Sequence, residues 1–310
     1  MSAAPLVSIC IPAYKRIDHL QRLLDSIVMQ SMKDFEVIVT DDSPDEAVQI
    51  LCDRYKAKLP VAYYRNTSPL GTPRNWNEAI LKSGGTWIKL MHDDDWFAGP
   101  DSLRVFADAI VSNPEGSFIF SAYRNIYSDH KDEKVSLSGR FYRKRRYKDP
   151  SNLIAGNYIG PPSCVIYKRK GDVFFDPSLK WLVDIEFYMR YLSFSKPVYI
   201  PRPLVNIGIG ETQVTKASFR NPSVEIPEHF YLLEKMGEGS LRNLLVYDAW
   251  WRLIRNLSVT EERQFRDAGY QGPVPDKIGR MVRFQSRLPH WVLHTGIFSK
   301  VFMTFHFIFS

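Results

Sequence analysis

Three consecutive carboxylates, Asp93–Asp95, stand directly after an apolar run at Thr86–Met91 and are flanked by His92 and Trp96. Carboxylates at the end of a buried strand repel one another and are costly to remove from water. A divalent cation would offset that cost, because carboxylate oxygens suit Mg²⁺ or Mn²⁺, and these ions in turn hold phosphates. The triplet therefore predicts a site for a metal and a diphosphate. Taken alone, it is explained equally well by a solvated acidic loop or by capping of a helix that begins near Asp101.

Polar motifs also follow two other predicted strands. Leu6–Ile11 and Phe35–Thr40 are short, mostly apolar and rich in β-branched residues, as buried strands are. The first is followed by Pro12–Tyr14 and the second by Asp41 and Asp42. Three polar motifs, each at the carboxyl end of a predicted strand, are hard to explain as unrelated solvated loops.

The elements between these motifs alternate between strand and helix. Apolar residues at helical spacing predict helices, and short apolar runs predict further strands. The predicted helices are Ile17–Gln30, Glu46–Tyr55 and Arg74–Lys82, and the further strands are Val61–Tyr64 and Thr86–Met91. This alternation is typical of α/β proteins in which helices cover a parallel sheet. Ligands of such sheets bind beyond the carboxyl ends of the strands, where the polar motifs lie.

Five motifs in this order resemble glycosyltransferase family 2, whose members have the GT-A fold. They are VSICIPAYKR, FEVIVTDDS, LGTPRNWNEAI, WIKLMHDDDW and FDPSLKWLVDIEFYMR, and they extend over residues 6–190, about 60% of the chain. The resemblance implies an α/β, Rossmann-like, mostly parallel sheet flanked by helices in residues 1–220. Its donor half would occupy about 1–100 and its acceptor half about 101–220, and residues 221–310 are expected to form a helical C-terminal appendage.

The resemblance implies that the chain binds a nucleotide-diphosphate sugar. The residues predicted to contact this donor are Pro12, Tyr14, Arg16, Asp41, Asp42, Arg74, Asn75, Asp93 and Asp94. Asp42 matches the carboxylate that accepts a hydrogen bond from the nucleobase, and it would suit uracil, thymine or guanine. Tyr14 would line one side of the base pocket. Arg74, at a helix start, would contact oxygens of the base or the diphosphate. The alternatives are loop packing for Tyr14, a surface ion pair for Arg74 and a helix cap for Asn75.

The resemblance also implies a division of labour among the three acids. Asp95 would be the main ligand of Mn²⁺ or Mg²⁺, Asp93 a ribose or sugar contact and second metal ligand, and Asp94 would take either role. His92 stands where many family members have Asp. It would either bind the metal or bond locally at the strand end.

A second departure from the family lies in the stretch GIGETQVT, at Gly208–Thr215. Many members have a His here that helps to hold the metal or the diphosphate. Glu211 and Thr212 occupy the stretch in this chain. We expect either that Glu211 or Gln213 substitutes for the His, or that Asp95, the donor and water complete the coordination.

The general base is predicted at Asp184. It lies between Val183 and Ile185 in the helix predicted at Trp181–Leu192, and apolar neighbours raise the pKa of a carboxyl toward the range that suits a base. The resemblance places the catalytic Asp at this position, although the acid that usually precedes it is Val183 here. Glu186 is the alternative base, and stabilisation of the helix start is the alternative role of Asp184.

The net charge of +7 is concentrated in two places. Arg140–Lys148 contains six basic residues and three aromatic ones. This segment would bind an anionic acceptor or contact a membrane, and the alternative is a solvated loop. Residues 277–310 combine a basic helix with an aromatic one, which suits peripheral contact with an anionic membrane. Packing on the core or on a second subunit, giving a homo-oligomer, is the alternative. No nucleic-acid motif accompanies this charge, so nucleic acid is not an expected partner.

The three cysteines are far apart, and Cys10 and Cys164 lie in apolar runs typical of core thiols. We expect a cytoplasmic protein, either in solution or on the cytoplasmic face of the inner membrane. The predicted activity is inverting transfer of a sugar to a hydroxyl of a glycan or lipid-linked glycan in bacterial surface-polysaccharide biosynthesis. One alternative is an inactive nucleotide-sugar-binding homologue, which would be expected to lack Asp95 or Asp184. The other is a sugar nucleotidyltransferase, which would be expected to have a glycine-rich loop after the first strand.

Overall fold

The computed structural model describes residues 4–127, 133–137, 149–171, 173–210 and 219–309. Two compact units are present, and each is considered by itself. The sheet unit comprises Met1–Lys148, Tyr158–Ser178 and Phe187–Glu211, and the helical unit comprises Asp149–Asn157, Leu179–Glu186 and Thr212–Ser310. The sequence predictions for the basic segment 140–148 and for Glu211, Thr212 and Gln213 concern residues outside the described ranges.

Within the described residues, nine strands form the single sheet of the sheet unit. They are β1 (Val7–Ala13), β2 (Phe35–Asp41), β3 (Val61–Arg65), β4 (Trp87–Leu90), β5 (Trp96–Phe97), β6 (Phe118–Tyr127), β7 (Glu133–Ser136), β8 (Val165–Lys168) and β9 (Pro197–Ile209). The strand order is β3-β2-β1-β4-β8-β6-β9-β5, and β7 pairs with β6.

The first four strands of this order are parallel, as the sequence predicts. They are joined by helices α1 (Ile17–Val28), α2 (Ala47–Tyr55) and α3 (Arg74–Lys82), and α4 (Ser102–Ser112) follows β5. The apolar stripe of α1 is buried, including Leu20, Leu23, Leu24 and Ile27. Each helix therefore covers the sheet with the face that its spacing predicts.

The rest of the sheet is mixed rather than mostly parallel. β8 is antiparallel to both β4 and β6, and β5 is antiparallel to β9, whereas β6 and β9 are parallel. The strand ends also differ from the predicted ones, because β1 continues to Ala13 and β2 to Asp41. Pro12 is tolerated inside β1 because the neighbouring β4 has ended at Leu90, opposite Cys10, so no ladder on that side needs a proline N–H.

The helical unit contains the described C-terminal helices. The helix that carries Asp184, α5 (Val183–Leu192), begins in this unit, and it is followed by α6 (Pro222–Met236), α7 (Leu244–Asn256), α8 (Arg263–Asp267), α9 (Asp276–Gln285), α10 (His290–His294) and α11 (Gly296–Phe309). Trp250 and Trp251 of α7 are fully buried, and Phe230 of α6 packs against Trp250 with ring centroids 4.8 Å apart. Among the described residues, every helix is too short or too polar to span a bilayer.

Candidate active site

The carboxyl ends of β1, β2 and β4 meet at one edge of the sheet. Ala13 pairs with Asp41, and Cys10 pairs with Leu90, so the loops that leave these three strands start side by side. Residues separated by some 80 positions in the sequence are therefore brought to one place, as the parallel arrangement predicts.

A group of potential metal ligands lies at this edge and consists of His92, Asp94 and Asp95. One ligand atom from each lies within 4.8 Å of the others. Burial raises the pKa of Asp95 well above its usual range and lowers the pKa of His92, so the imidazole is in the neutral form that binds metals. The Nε2 atom of His92 is buried and has no hydrogen-bond partner within the described part of the chain. The Nδ1 atom of His92 lies 4.0 Å from Oδ2 of Asp95. Two carboxylates with one imidazole form a donor set that fits Mn²⁺ well and Mg²⁺ less closely.

Two residues that sequence reasoning missed support this group from beneath. The Ser163 hydroxyl accepts a hydrogen bond from the backbone N–H of His92 at 3.0 Å and also bonds to the Asp95 carboxylate. The Lys89 ammonium lies fully buried within the sheet and donates to the carbonyl oxygens of Ser163 and Val165. Burial lowers the pKa of Lys89 to about 7. In the sequence, Lys89 could have been noticed as a lysine in the middle of the apolar run TWIKLM.

A third unpredicted residue, Gly208, fixes the loop from the β9 side. Its N–H donates to Oδ1 of Asp95 at 3.1 Å. A Cβ at this position would overlap the carbonyl oxygen of Asp94, so only glycine allows β9 to approach so closely. The same carbonyl accepts a bond from Nη2 of Arg22 at 2.9 Å, and this guanidinium stacks on the Trp96 ring.

Asp93 faces away from the His92 group and toward the end of β1. One of its oxygens accepts a bond from the Tyr14 N–H at 3.4 Å, and the other lies 3.6 Å from Nη1 of Arg16. The same Arg16 nitrogen donates to Asp94 at 2.8 Å. Burial, with a smaller contribution from the neighbouring charge of Asp94, raises the pKa of Asp93 to about 7. Arg16 therefore pairs with two of the acids, and its predicted contact with the donor remains a prediction.

Asp42 holds the loop before α3. Its Oδ1 accepts bonds from Nδ2 of Asn66 and the N–H of Leu70, at 2.8 and 2.9 Å, and its Oδ2 accepts from the Gly71 N–H at 2.8 Å. Because a carboxylate has about four acceptor positions, Oδ2 keeps one that a nucleobase N–H can use. The predicted base contact is therefore compatible with the bonds that Asp42 already makes.

Two other predicted donor residues tie the strand ends together. Buried Asn75 directs its amide nitrogen toward the carbonyl oxygens of Ala13 and Thr40, at 3.5 and 3.3 Å. Asp41 is fully buried and accepts a bond from the Tyr63 hydroxyl at 2.8 Å. These contacts maintain the edge of the sheet, and a direct donor contact for either residue stays a prediction.

Tyr14 and Arg74 present their side chains to solvent. Tyr14, which follows Pro12 and Ala13 at the end of β1, is 49% exposed, and Arg74 is exposed at the first residue of α3. The N-terminus of a helix carries partial positive charge. Both residues are therefore available to a ligand at this edge.

Asp184 lies in the helical unit and is half-buried. Its Oδ2 accepts a bond from Nδ2 of Asn157 at 2.8 Å, and its Oδ1 accepts from the N–H of Ile185. Burial outweighs these bonds and raises the pKa of Asp184 to about 6. The alternative base, Glu186, is buried and forms an ion pair with Lys235 at 2.8 Å.

The start of this helix is held by Glu228 of α6. Its two carboxylate oxygens accept bonds from the backbone N–H groups of Lys180, Trp181 and Leu182, at distances between 2.7 and 3.2 Å. These groups immediately precede α5 and would otherwise lack helical partners. Glu228 therefore fixes the segment that presents Asp184.

The model of the family described as Glycosyl transferase family 2 matches residues 8–173, more than half of the chain. The chain belongs to this family. An uncharacterized protein of Mycobacterium tuberculosis is 28% identical over 267 residues, which cover 80% of this chain and 82% of the relative. Chondroitin synthase of Escherichia coli is 30% identical over 191 residues, 61% of this chain and 27% of that enzyme. As a family 2 member, the chain is a glycosyltransferase that uses a sugar nucleotide.

Two solved structures have the same fold. S. aureus TarS (1–349) in complex with UDP-GlcNAc superposes with a TM-score of 0.58 at 17% identity, covering 81% of each chain. The mannosyltransferase PcManGT from Pyrobaculum calidifontis, in complex with GDP-Man and Mn²⁺, superposes with a TM-score of 0.57 at 14% identity, covering 99% of this chain and 86% of that one. The likeness establishes the GT-A fold that the sequence motifs predict.

Proposed function

We propose that this chain is a metal-dependent, inverting glycosyltransferase that moves a sugar from a nucleotide-diphosphate donor to a hydroxyl of a glycan or lipid-linked glycan. The observation that carries the proposal is the His92, Asp94 and Asp95 group at the strand edge, next to Tyr14 and Asp42. When Mn²⁺ or Mg²⁺ is bound there, it supplies positive charge for the donor diphosphate. TarS with UDP-GlcNAc and PcManGT with GDP-Man and Mn²⁺ support this assignment by analogy of fold.

The roles of the other residues follow from their chemistry. Asp42 accepts a hydrogen bond from the nucleobase through the open position on Oδ2, and Tyr14 packs against the base. Arg74 adds positive charge at the start of α3 and stabilises the diphosphate as it leaves. Asp93 contacts the ribose or sugar once its carboxyl is ionised. All four residues act on the donor, and Asp42 and Tyr14 are the two that contact the nucleobase.

Asp184 is proposed as the general base. Its pKa of about 6 leaves the carboxyl ionised at neutral pH, yet basic enough to accept a proton from the attacking hydroxyl. The acceptor oxygen then forms a bond to the anomeric carbon while the bond from that carbon to the diphosphate breaks. A single displacement of this kind inverts the anomeric centre and needs no covalent glycosyl-enzyme.

The setting of the reaction is proposed from relatives. Chondroitin synthase of Escherichia coli and abequosyltransferase RfbV of Salmonella typhimurium, 32% identical over 114 residues, support a role in bacterial polysaccharide synthesis. The three buried free thiols agree with a reducing compartment. We propose that the enzyme acts in the cytoplasm or at the cytoplasmic face of the inner membrane.

The test is calorimetric binding of UDP, GDP, dTDP and CMP, each with Mn²⁺ and with chelator. The wild type is compared with Asp95→Asn and with Asp108→Asn, an exposed acid on α4 that serves as the matched control. We expect one nucleoside diphosphate to bind only with Mn²⁺, and Asp95→Asn to weaken this binding by about 10–100-fold. Equal binding with chelator, or no loss in Asp95→Asn, would show that the acids are structural and overturn the proposal.

A further inference from the structure

A row of apolar side chains on α10 and α11 is exposed to solvent. They lie three or four positions apart along most of α11, so that they share one side of the helix. This aromatic ridge consists of Trp291, Ile297, Phe298, Val301, Phe305, Ile308 and Phe309, all between 47% and 79% exposed. Seven of the nineteen exposed large apolar residues in the described chain thus fall within nineteen consecutive positions. A contiguous apolar surface of this kind marks an interaction site.

The opposite side of α11 is fixed within the helical unit. Ser299, Met303 and His306 are its buried residues. The Ser299 hydroxyl accepts a bond from Nε1 of Trp251 on α7 at 3.0 Å, and His306 bonds to the Tyr247 hydroxyl of the same helix. The helix is therefore held on α7, and the aromatic ridge faces outward rather than supplying the core.

The segment that carries the ridge is basic in sequence. Residues 277–310 contain five Lys or Arg side chains and no Asp or Glu. The five are Lys277, Arg280, Arg283, Arg287 and Lys300. Arg283 and Lys300 form ion pairs with two acids outside this segment, Glu262 and Asp248. The side chains of Arg280 and Arg287 are exposed.

We propose that the aromatic ridge and its basic border dock on the surface of an anionic bilayer. An amphipathic helix lies in the interfacial plane with its apolar side chains below the headgroups, and Lys or Arg residues beside it attract anionic lipids. Trp291 suits the headgroup level, where its ring is amphipathic. A symmetric pair of chains explains the ridge less well, because it would bring together two segments that each contain five Lys or Arg residues and no Asp or Glu.

The test is flotation of the full chain with lipid vesicles, without metal or nucleotide, so that its outcome is independent of the donor site. One set of vesicles contains phosphatidylcholine with phosphatidylglycerol, and the other contains phosphatidylcholine alone. The double variant Phe305→Glu with Ile308→Glu is compared with Val111→Glu, which is 77% exposed on α4 and serves as the control. Arg280→Ser with Arg287→Ser tests the basic border without altering the ridge.

We expect the wild type and Val111→Glu to float with the anionic vesicles, roughly tenfold more than with neutral ones. The ridge variant should lose this binding, and the arginine variant should lose most of it, with circular dichroism unchanged in both. Equal flotation of the ridge variant, or no flotation of the wild type, would overturn the proposal. Light scattering provides a further check. If the wild type is a dimer that does not bind vesicles, and the ridge variant is a monomer, the ridge joins two copies and the proposal is overturned.

Discussion

Asp184 differs from Glu186, the alternative base, in its surroundings. It is half-buried beside Asn157, and burial keeps its pKa near 6, whereas Glu186 on the same helix is already paired with Lys235. A carboxyl that loses its proton just below neutral pH can act as a base under physiological conditions. Asp184 therefore meets this requirement better than Glu186 does.

The first prediction concerns this residue. Asp184→Asn should lower kcat for transfer from the donor found in the binding screen by about 10²–10⁴-fold and leave the donor affinity unchanged. Because the base must be ionised, the wild-type rate should fall as pH drops through about 6, and this acid limb should vanish in the variant. The measurement is a pH–rate profile, with exposed Asp267→Asn as the matched control. An intact kcat would exclude Asp184 as the base, and loss in Glu186→Gln alone would assign the role there.

At the same scale, the family resemblance predicts Asp95 and Asp93 as metal ligands, but the spacing in the sequence does not predict the direction in which each acid of the Asp93–Asp95 triplet points. Asp93 turns toward Tyr14 and Arg16, whereas Asp94 and Asp95 join His92. Consecutive residues in a turn point in different directions, and which direction each takes depends on partners remote in sequence. Ser163 and Gly208 are such partners, and no local pattern indicates them.

Among the elements, β9 contacts the acidic loop through its backbone at Gly208. Gly208 donates its N–H to Asp95 and lies against the carbonyl of Asp94, where a side chain has no room. The lack of a side chain at Gly208 therefore allows a strand and a loop more than a hundred residues apart in the sequence to contact each other. The position of the proposed metal ligands Asp94 and Asp95 therefore depends on this contact.

Gly208→Ala is therefore expected to push β9 away from the loop and to weaken Mn²⁺ affinity by about 10–100-fold, as loss of support around a metal site does. Gly210→Ala is the matched control, because a Cβ there would meet no atom within 4 Å. Mn²⁺ binding measured by electron paramagnetic resonance distinguishes the two, and thermal unfolding reports any loss of stability. Equal Mn²⁺ affinity in both variants would contradict the expectation.

The elements of the parallel half of the sheet were predictable, and those of the antiparallel half were not. Each strand–helix–strand unit there is built from neighbours in sequence, so apolar spacing alone located α3 at Arg74–Lys82 without error. By contrast, β8 inserts between β4 and β6, some 80 and 40 positions away in sequence. Such pairings depend on long-range packing, which periodicity does not encode.

For the molecule as a whole, the sequence predicted a helical C-terminal region but not the composition of the unit it forms. That unit also takes in Asp149–Asn157 and Leu179–Glu186, two short segments from the middle of the chain. Asn243 links the first of them to α7 through bonds to Asp149 and Asn152, both at 2.8 Å. Asp184 and its partner Asn157 belong to these segments, so the proposed base is held by the same unit as the C-terminal helices.

Buried Lys89 has a consequence for how the whole protein unfolds. Its pKa is about 7 in the folded chain but near 10.5 when the lysine is exposed to water. Between these values the unfolded chain carries a proton that the folded chain does not, so raising the pH favours the folded state. Stability should therefore gain roughly 1 kcal/mol per pH unit from this residue between pH 7 and about 9.

Lys89→Met should remove this gain, whatever its effect on stability at a single pH. Urea unfolding at several pH values measures the slope, and Lys168→Met, on an exposed position of β8, should keep the wild-type slope. If the slopes of wild type and Lys89→Met coincide, the lysine stays charged inside the sheet. If they differ as expected, one amine beneath the acidic loop makes a contribution to folding stability that grows as the solution becomes mildly alkaline.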